Sequence, residues 1–223
     1  MTTSPRKIYP VEGCIELSKI DSSETYFRGL AATLENLPHE GIGEIAKVIL
    51  RAYQDRRAVF LFGNGGSAAL ASHVACDLGK GTSTAGPERF RVLSLTDNVP
   101  LLTAWANDLK YEDIFAEQIL NFVEPGDVAF AISGSGNSPN VLKGLRVARD
   151  AGAYNIGLSG FRGGDMKALC DLCVVVPSDN MQVIEDVHLS ISHCVFSMVY
   201  NGIAELTSTR AFEFAKVASS AQR

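Results

Sequence analysis

The chain has 223 residues and a formal charge of −5, with 46% apolar and 20% charged residues. That length builds one well-buried α/β core, or at most two small domains. The composition excludes several classes: no basic stripe suits nucleic acid, no apolar run is long enough to span a bilayer, and five cysteines give no disulfide framework.

The first ten residues are polar and lack an apolar signal core, so a cytoplasmic protein with reduced thiols is expected. Residues 1–20 show no sustained period and are expected to wander over the surface. Asp21, with Glu24 three residues on, reads as a capping box opening a helix from about Ser22 to Asn36, which Pro38 ends. A second helix runs from about Ile42 to Asp55, with Ile42, Ile45, Ala46, Ile49, Leu50 and Tyr53 on one face. Two helices ahead of the first strand exceed what one α/β layer needs. Residues 1–40 are therefore expected to form an extension that packs on a neighbouring subunit.

From residue 58 strand and helix alternate. Strands are expected over 58–62, 91–95, 127–132, 154–158 and 173–176, and helices over roughly 67–79, 99–107, 112–122, 138–151 and 181–205. Ser138 before Pro139 reads as an N-cap with proline at the first helical position, and Gly152 closes that helix. The strands are short unbroken apolar runs, which predicts a doubly wound α/β fold with a five-stranded parallel sheet flanked by helices. Ligands bind at the carboxyl ends of strands in such sheets. Residues 207–223 read as a tail with a short, frayed helix. Cys170 and Cys173 form a C-x-x-C with no second pair, and are read as buried thiols.

Two loops of small residues occupy that carboxyl edge. Gly63-Asn64-Gly65-Gly66-Ser67 follows the first strand, and Ser133-Gly134-Ser135-Gly136-Asn137-Ser138 follows the third. Free amides and hydroxyls where a strand meets a helix start bind anions. The first loop also fits a G-x-G-x-x-A dinucleotide fingerprint, with Asp97 as the acidic ribose partner, but Asp97 lies farther on than that fingerprint places it. Three serines at the second loop suit a compact phosphate monoester better. Neither loop is a nucleophile elbow or a P-loop.

Three of the four histidines fall on two predicted helices. His73 and Asp77 are four apart, hence on one face. Glu185 and His193 are eight apart, about 80° around a helix that turns roughly 100° per residue. One imidazole and one carboxylate on each helix suit a divalent metal of the zinc type, or an acid and base flanking a substrate; a solvated surface pair is the plain alternative. His188 points away from the Glu185–His193 side and reads as structural or interfacial. His39 sits in a solvated turn.

Read together, FGNGGSA at 62–68, His73 with its helix, TDN at 96–98, ISGSGNSPNVL at 132–142 and the 182–193 helix resemble the sugar isomerase (SIS) family, and within it the phosphoheptose isomerases. The resemblance implies a SIS domain over 41–206 that converts sedoheptulose 7-phosphate to D-glycero-D-manno-heptose 7-phosphate. It implies that Asn64, Gly65, Gly66, Ser67, Ser133, Gly134, Ser135 and Ser138 bind the sugar phosphate, with Asp97 and Glu185 also contacting substrate. It implies a divalent metal, Zn2+, on His73, Asp77, Glu185 and His193, and a homotetramer with sites at subunit interfaces. Asp77 and Glu185 stand where the family has Glu and Gln, and Asp77 reaches about 1.5 Å less far, one C–C bond. The expected mechanism has Asp77 or Glu185 as base and His193 as acid around an enediolate. A non-catalytic phosphosugar- or protein-binding module of the initiator-associating type, and an isomerase of another sugar phosphate, are the alternatives.

Overall fold

A computed structural model describes residues 7–9 and 20–220, with side chains up to residue 209. Strand β1 is Lys7–Tyr9; β2, Val59–Gly63; β3, Val92–Ser94; β4, Val128–Ser133; β5, Tyr154–Ser159; and β6, Leu172–Val175. They form one parallel sheet in the order β1-β6-β5-β4-β2-β3. The sheet thus has six strands, one more than the five expected. The extra strand is β1, which lies within residues 1–20 and pairs Lys7, Ile8 and Tyr9 with Leu172, Cys173 and Val174. It is held on its outer face by close packing: a Cβ on Gly41 would stand 2.7 Å from the Tyr9 ring. Residues 1–6 and 10–19, also expected to wander, lie outside the described residues.

Alternate residues along each strand feed opposite faces. Val59, Leu61, Phe130, Ile132, Ile156, Leu158 and Val174 point to one, where helices α2 (His39–Gln54) and α8 (Met181–Ser220) cover them. Phe60, Phe62, Ala129, Ala131, Cys173 and Val175 point to the other, under α5 (Ala116–Phe122), α6 (Pro139–Asp150) and α7 (Met166–Leu169). Strands buried on both faces have no polar alternation, which is why they read as unbroken apolar runs. Cys170 and Cys173 are buried free thiols in the second face.

Helix α1 (Ser23–Glu35) is capped by Ser22 itself: its Oγ accepts from the Thr25 amide at 3.1 Å. Asp21, expected to cap, instead accepts from the Thr25 hydroxyl. On α8, Val183, Val187, Ile191, Val195, Val199 and Ile203 recur every four residues and form the stripe that lies on the core. The helix runs 40 residues, through most of the stretch read as a separate tail; 221–223 lie outside the described residues. Among the described residues no helix is long and apolar enough to cross a membrane.

Candidate active site

Helix α3 (Gly66–Cys76) starts from the first loop, α4 (Val99–Asp108) follows β3, and α6 starts from the second loop. Because β2 and β4 are neighbours, with Gly63 opposite Ile132, the two loops leave the sheet side by side. A reciprocal amide pair stitches them: Asn64 Nδ2 donates to Asn140 Oδ1 at 2.8 Å, and Asn140 Nδ2 to Asn64 Oδ1 at 2.9 Å. Tyr111 adds its hydroxyl to Asn64 Oδ1 at 3.0 Å. Asn140 and Tyr111 brace the first loop and were not singled out from sequence; Asn140 sits inside the quoted ISGSGNSPNVL stretch, and only its pairing with Asn64 marks it.

The first loop turns on Gly65, whose φ of +56° favours glycine. Its carbonyl accepts from Ala68 and Ala69, while the amides of Gly65 and Gly66 have no backbone acceptor among the described residues. They remain available to an anion at the start of α3. Ser67 is buried beside them. In the second loop, the Ser133 hydroxyl accepts from the Gly136 amide at 3.2 Å and lies 3.4 Å from the Ser138 hydroxyl. Ser135 Oγ accepts from the Asn137 amide at 3.2 Å. Gly134 O takes the Gly160 amide at 2.9 Å, and Gly136 O takes the Met166 amide at 3.0 Å, so the chain after β5 braces this loop from behind.

His73 and His193 meet across the α3–α8 contact, with Nε2 atoms 2.9 Å apart and rings 5.1 Å between centroids. Asp77 Oδ2 lies 3.3 Å from His73 Nε2 and 4.0 Å from His193 Nε2. Asp77 opens a π-helical turn, Asp77–Gly81, that ends α3 earlier than the expected residue 79. Such wide turns concentrate at functional sites. The two imidazole nitrogens and one carboxylate oxygen lie within 4.8 Å of one another. Two nitrogens and an oxygen form a donor set that could hold a divalent metal ion.

Glu185 does not join these three. Its carboxylate lies over the first loop, 2.9 Å from where a Cβ on Gly66 would stand. It walls a cavity of about 280 Å³ between α3 and α8, together with Gly66, Ser67, Leu70, His73 and His188. Asp97 borders a different recess, beside Ser94 and Asn98, with its carboxylate bonded by the Ser72 hydroxyl. Ser133, Ser135 and Ser138 gather on the neighbouring loop and do not line the cavity.

His188, expected from its spacing to point away from the Glu185 side, instead shares the cavity wall with Glu185, because three residues carry it only about 60° around the helix. It is buried, with Nε2 donating to the Ser159 carbonyl at 3.1 Å. Burial pushes its pKa down to about 4, against a small opposing pull from that carbonyl. The ordinary value is near 6.5, so above that pH both folded and unfolded rings are neutral and the fold keeps its full stability. Below it the unfolded chain gains a proton that the folded ring refuses, until about pH 4. Urea unfolding is expected to show a loss of about 2 kcal/mol from this ring between pH 7 and pH 5. Equal stabilities at the two pH values would show a ring that protonates in place.

Residues 25–160 match the SIS domain family model. A phosphoheptose isomerase of Rhodospirillum rubrum is 39% identical over 163 residues, covering 73% of this chain and 86% of that protein. One of Aquifex aeolicus is 38% identical over 165 residues, covering 74% and 85%. The chain belongs to the phosphoheptose isomerase family of SIS-domain proteins. Solved phosphoheptose isomerases superpose accordingly. That of Francisella tularensis gives a TM-score of 0.74 at 28% identity over 80% of this chain and 96% of its own. That of Neisseria gonorrhoeae gives 0.73 at 27% identity over 79% and 95%. The doubly wound parallel sheet is thus the phosphoheptose isomerase fold.

Proposed function

We propose that this chain is an aldose–ketose isomerase that interconverts sedoheptulose 7-phosphate and D-glycero-D-manno-heptose 7-phosphate in the cytoplasm. The observation that carries the reading is the meeting of His73, Asp77 and His193 from two helices beside a pair of stitched glycine–serine loops. Phosphate binds at the loops, through the amides of Gly65 and Gly66 and the hydroxyls of Ser67, Ser133, Ser135 and Ser138. Anchoring that end fixes the sugar chain in the α3–α8 cavity.

Isomerisation moves a proton between adjacent carbons through an enediol. Glu185 is the better-placed base, because its carboxylate faces the cavity while Asp77 is engaged by two imidazoles. His193 stands outside the cavity lining, but its ring meets that of His73, which lines it, so His193 returns a proton to a sugar oxygen held at the His73 end of the cavity. Asp77 orients the two rings. A divalent ion of the zinc type, held by His73, Asp77 and His193, would polarise the sugar carbonyl when bound. Glu185 remains outside this donor set, unlike the four-residue set that family resemblance implies.

Purified protein incubated with sedoheptulose 7-phosphate is expected to form the isomeric aldose, and chelator should suppress this until divalent metal is restored. Binding without conversion would favour a non-catalytic module. Within residues 1–40, β1 belongs to the chain's own sheet, and we read α1 as the assembly element of a homotetramer, supported by Phe27, which is 64% exposed. A monomer in light scattering would overturn that part alone.

A further inference from the structure

We propose that His188 is a substrate-binding residue of the α3–α8 cavity, its Nδ1 accepting a hydrogen bond from a sugar hydroxyl. The inference rests on the isomerase reading above. His188 follows Glu185 by one turn of α8 and forms part of the same wall, with Gly66, Ser67 and His73 opposite. Its Nε2 faces the Ser159 carbonyl, an acceptor, so Nε2 carries the ring proton and Nδ1 carries the lone pair. That Nδ1 is buried and has no partner among the described residues.

Buried acceptors without a donor are rare, and each calls for an explanation. The neighbouring groups do not provide a donor. The Ser192 hydroxyl turns back to the His188 carbonyl at 2.8 Å. The Tyr26 hydroxyl is given to Asp186 at 2.5 Å. His73 directs its Nε2 at His193, and the Glu185 carboxylate offers acceptor oxygens. A polyol chain is the missing partner, since every hydroxyl on it can donate. A ring held neutral at its acceptor edge favours a hydroxyl over a carbonyl or ether oxygen. His188 therefore selects for a hydroxyl at one carbon of the bound sugar. A site built to bond a hydroxyl rejects the analogue that lacks it.

Nitrogen NMR on the full chain with isotope-labelled histidine tests this without altering the fold. On saturation with sedoheptulose 7-phosphate the His188 Nδ1 resonance should move upfield, as an acceptor does on gaining a donor. The Gly65 and Gly66 amides report loop occupancy separately. If those amides shift and Nδ1 does not, the inference is wrong and the isomerase reading stands. If neither shifts, the isomerase reading fails and takes the inference with it. In parallel, His188→Phe keeps a flat ring without the acceptor and should raise KM about tenfold with kcat nearly kept. His188→Gln, which restores an acceptor oxygen, should recover most of that loss. An unchanged KM in a folded His188→Phe protein would also overturn the assignment.

Discussion

His193→Ala is expected to lower turnover by at least about a hundredfold while leaving the melting temperature almost unchanged. The imidazole is about half exposed, and its contacts are with His73 and Asp77 and not with the core. The backbone carbonyl of His193, which accepts from Ser197, survives the substitution. Truncating an exposed side chain of this kind costs the fold little. Chemically the expected loss is large, because His193 is the proposed proton donor to the sugar oxygen and one of the three residues that would hold a metal. Steady-state kinetics beside elemental analysis of the purified variant would check both roles. Full activity with full metal content would end the assignment.

Gly136→Ala is expected to be the most damaging single methyl in the phosphate loops. Gly136 has a φ of +67°, and a Cβ there would stand 2.1 Å from the Gly163 carbonyl oxygen and 2.6 Å from its carbon. Those are backbone atoms, so the relief must come from shifting the brace behind the second loop. Strain at such a position with a backbone clash costs about 3 kcal/mol or more. The displaced loop should also bind phosphate poorly, raising KM. Gly65→Ala supplies the contrast. Gly65 has a similar φ of +56°, with ψ of −123°, but nothing within 4 Å of a Cβ, so only backbone strain of about 1–3 kcal/mol is expected, without the clash. Equal destabilisation of the two variants in thermal unfolding would show that the close approach to Gly163 is unimportant.

Much of the frame was legible because burial on both faces writes itself into sequence. The runs at 59–62 and 128–132 are apolar throughout, that at 154–159 is interrupted by the buried Asn155, and Gly63 and Gly134 just past the first two mark the loop edge. His73 and Asp77 were legible as a pair because one helical turn separates them. β1 was not legible. Three residues carry no period, and what makes them a strand is β6, more than 160 residues away in the chain. The π turn at Asp77 was hidden too: at its end Gly81 packs beneath Phe196, distant in the chain, where a Cβ would stand 2.8 Å from the ring. Spacing along α8 put Glu185 on the side of His193, yet eight residues also carry it about 12 Å along the axis. That rise, invisible to a helical wheel, is why Glu185 sits over Gly66 and away from the imidazoles.

The seating of Tyr9 on Gly41 bears on how the folded chain avoids its own kind. Without β1, the outermost ladder would be Leu172–Val175, four apolar residues presenting unsatisfied amides and carbonyls to solvent. Such an edge is a template for strand addition by another molecule. Cutting away residues 1–9 should therefore first show as concentration-dependent aggregation, with the chemistry of each remaining folded subunit intact.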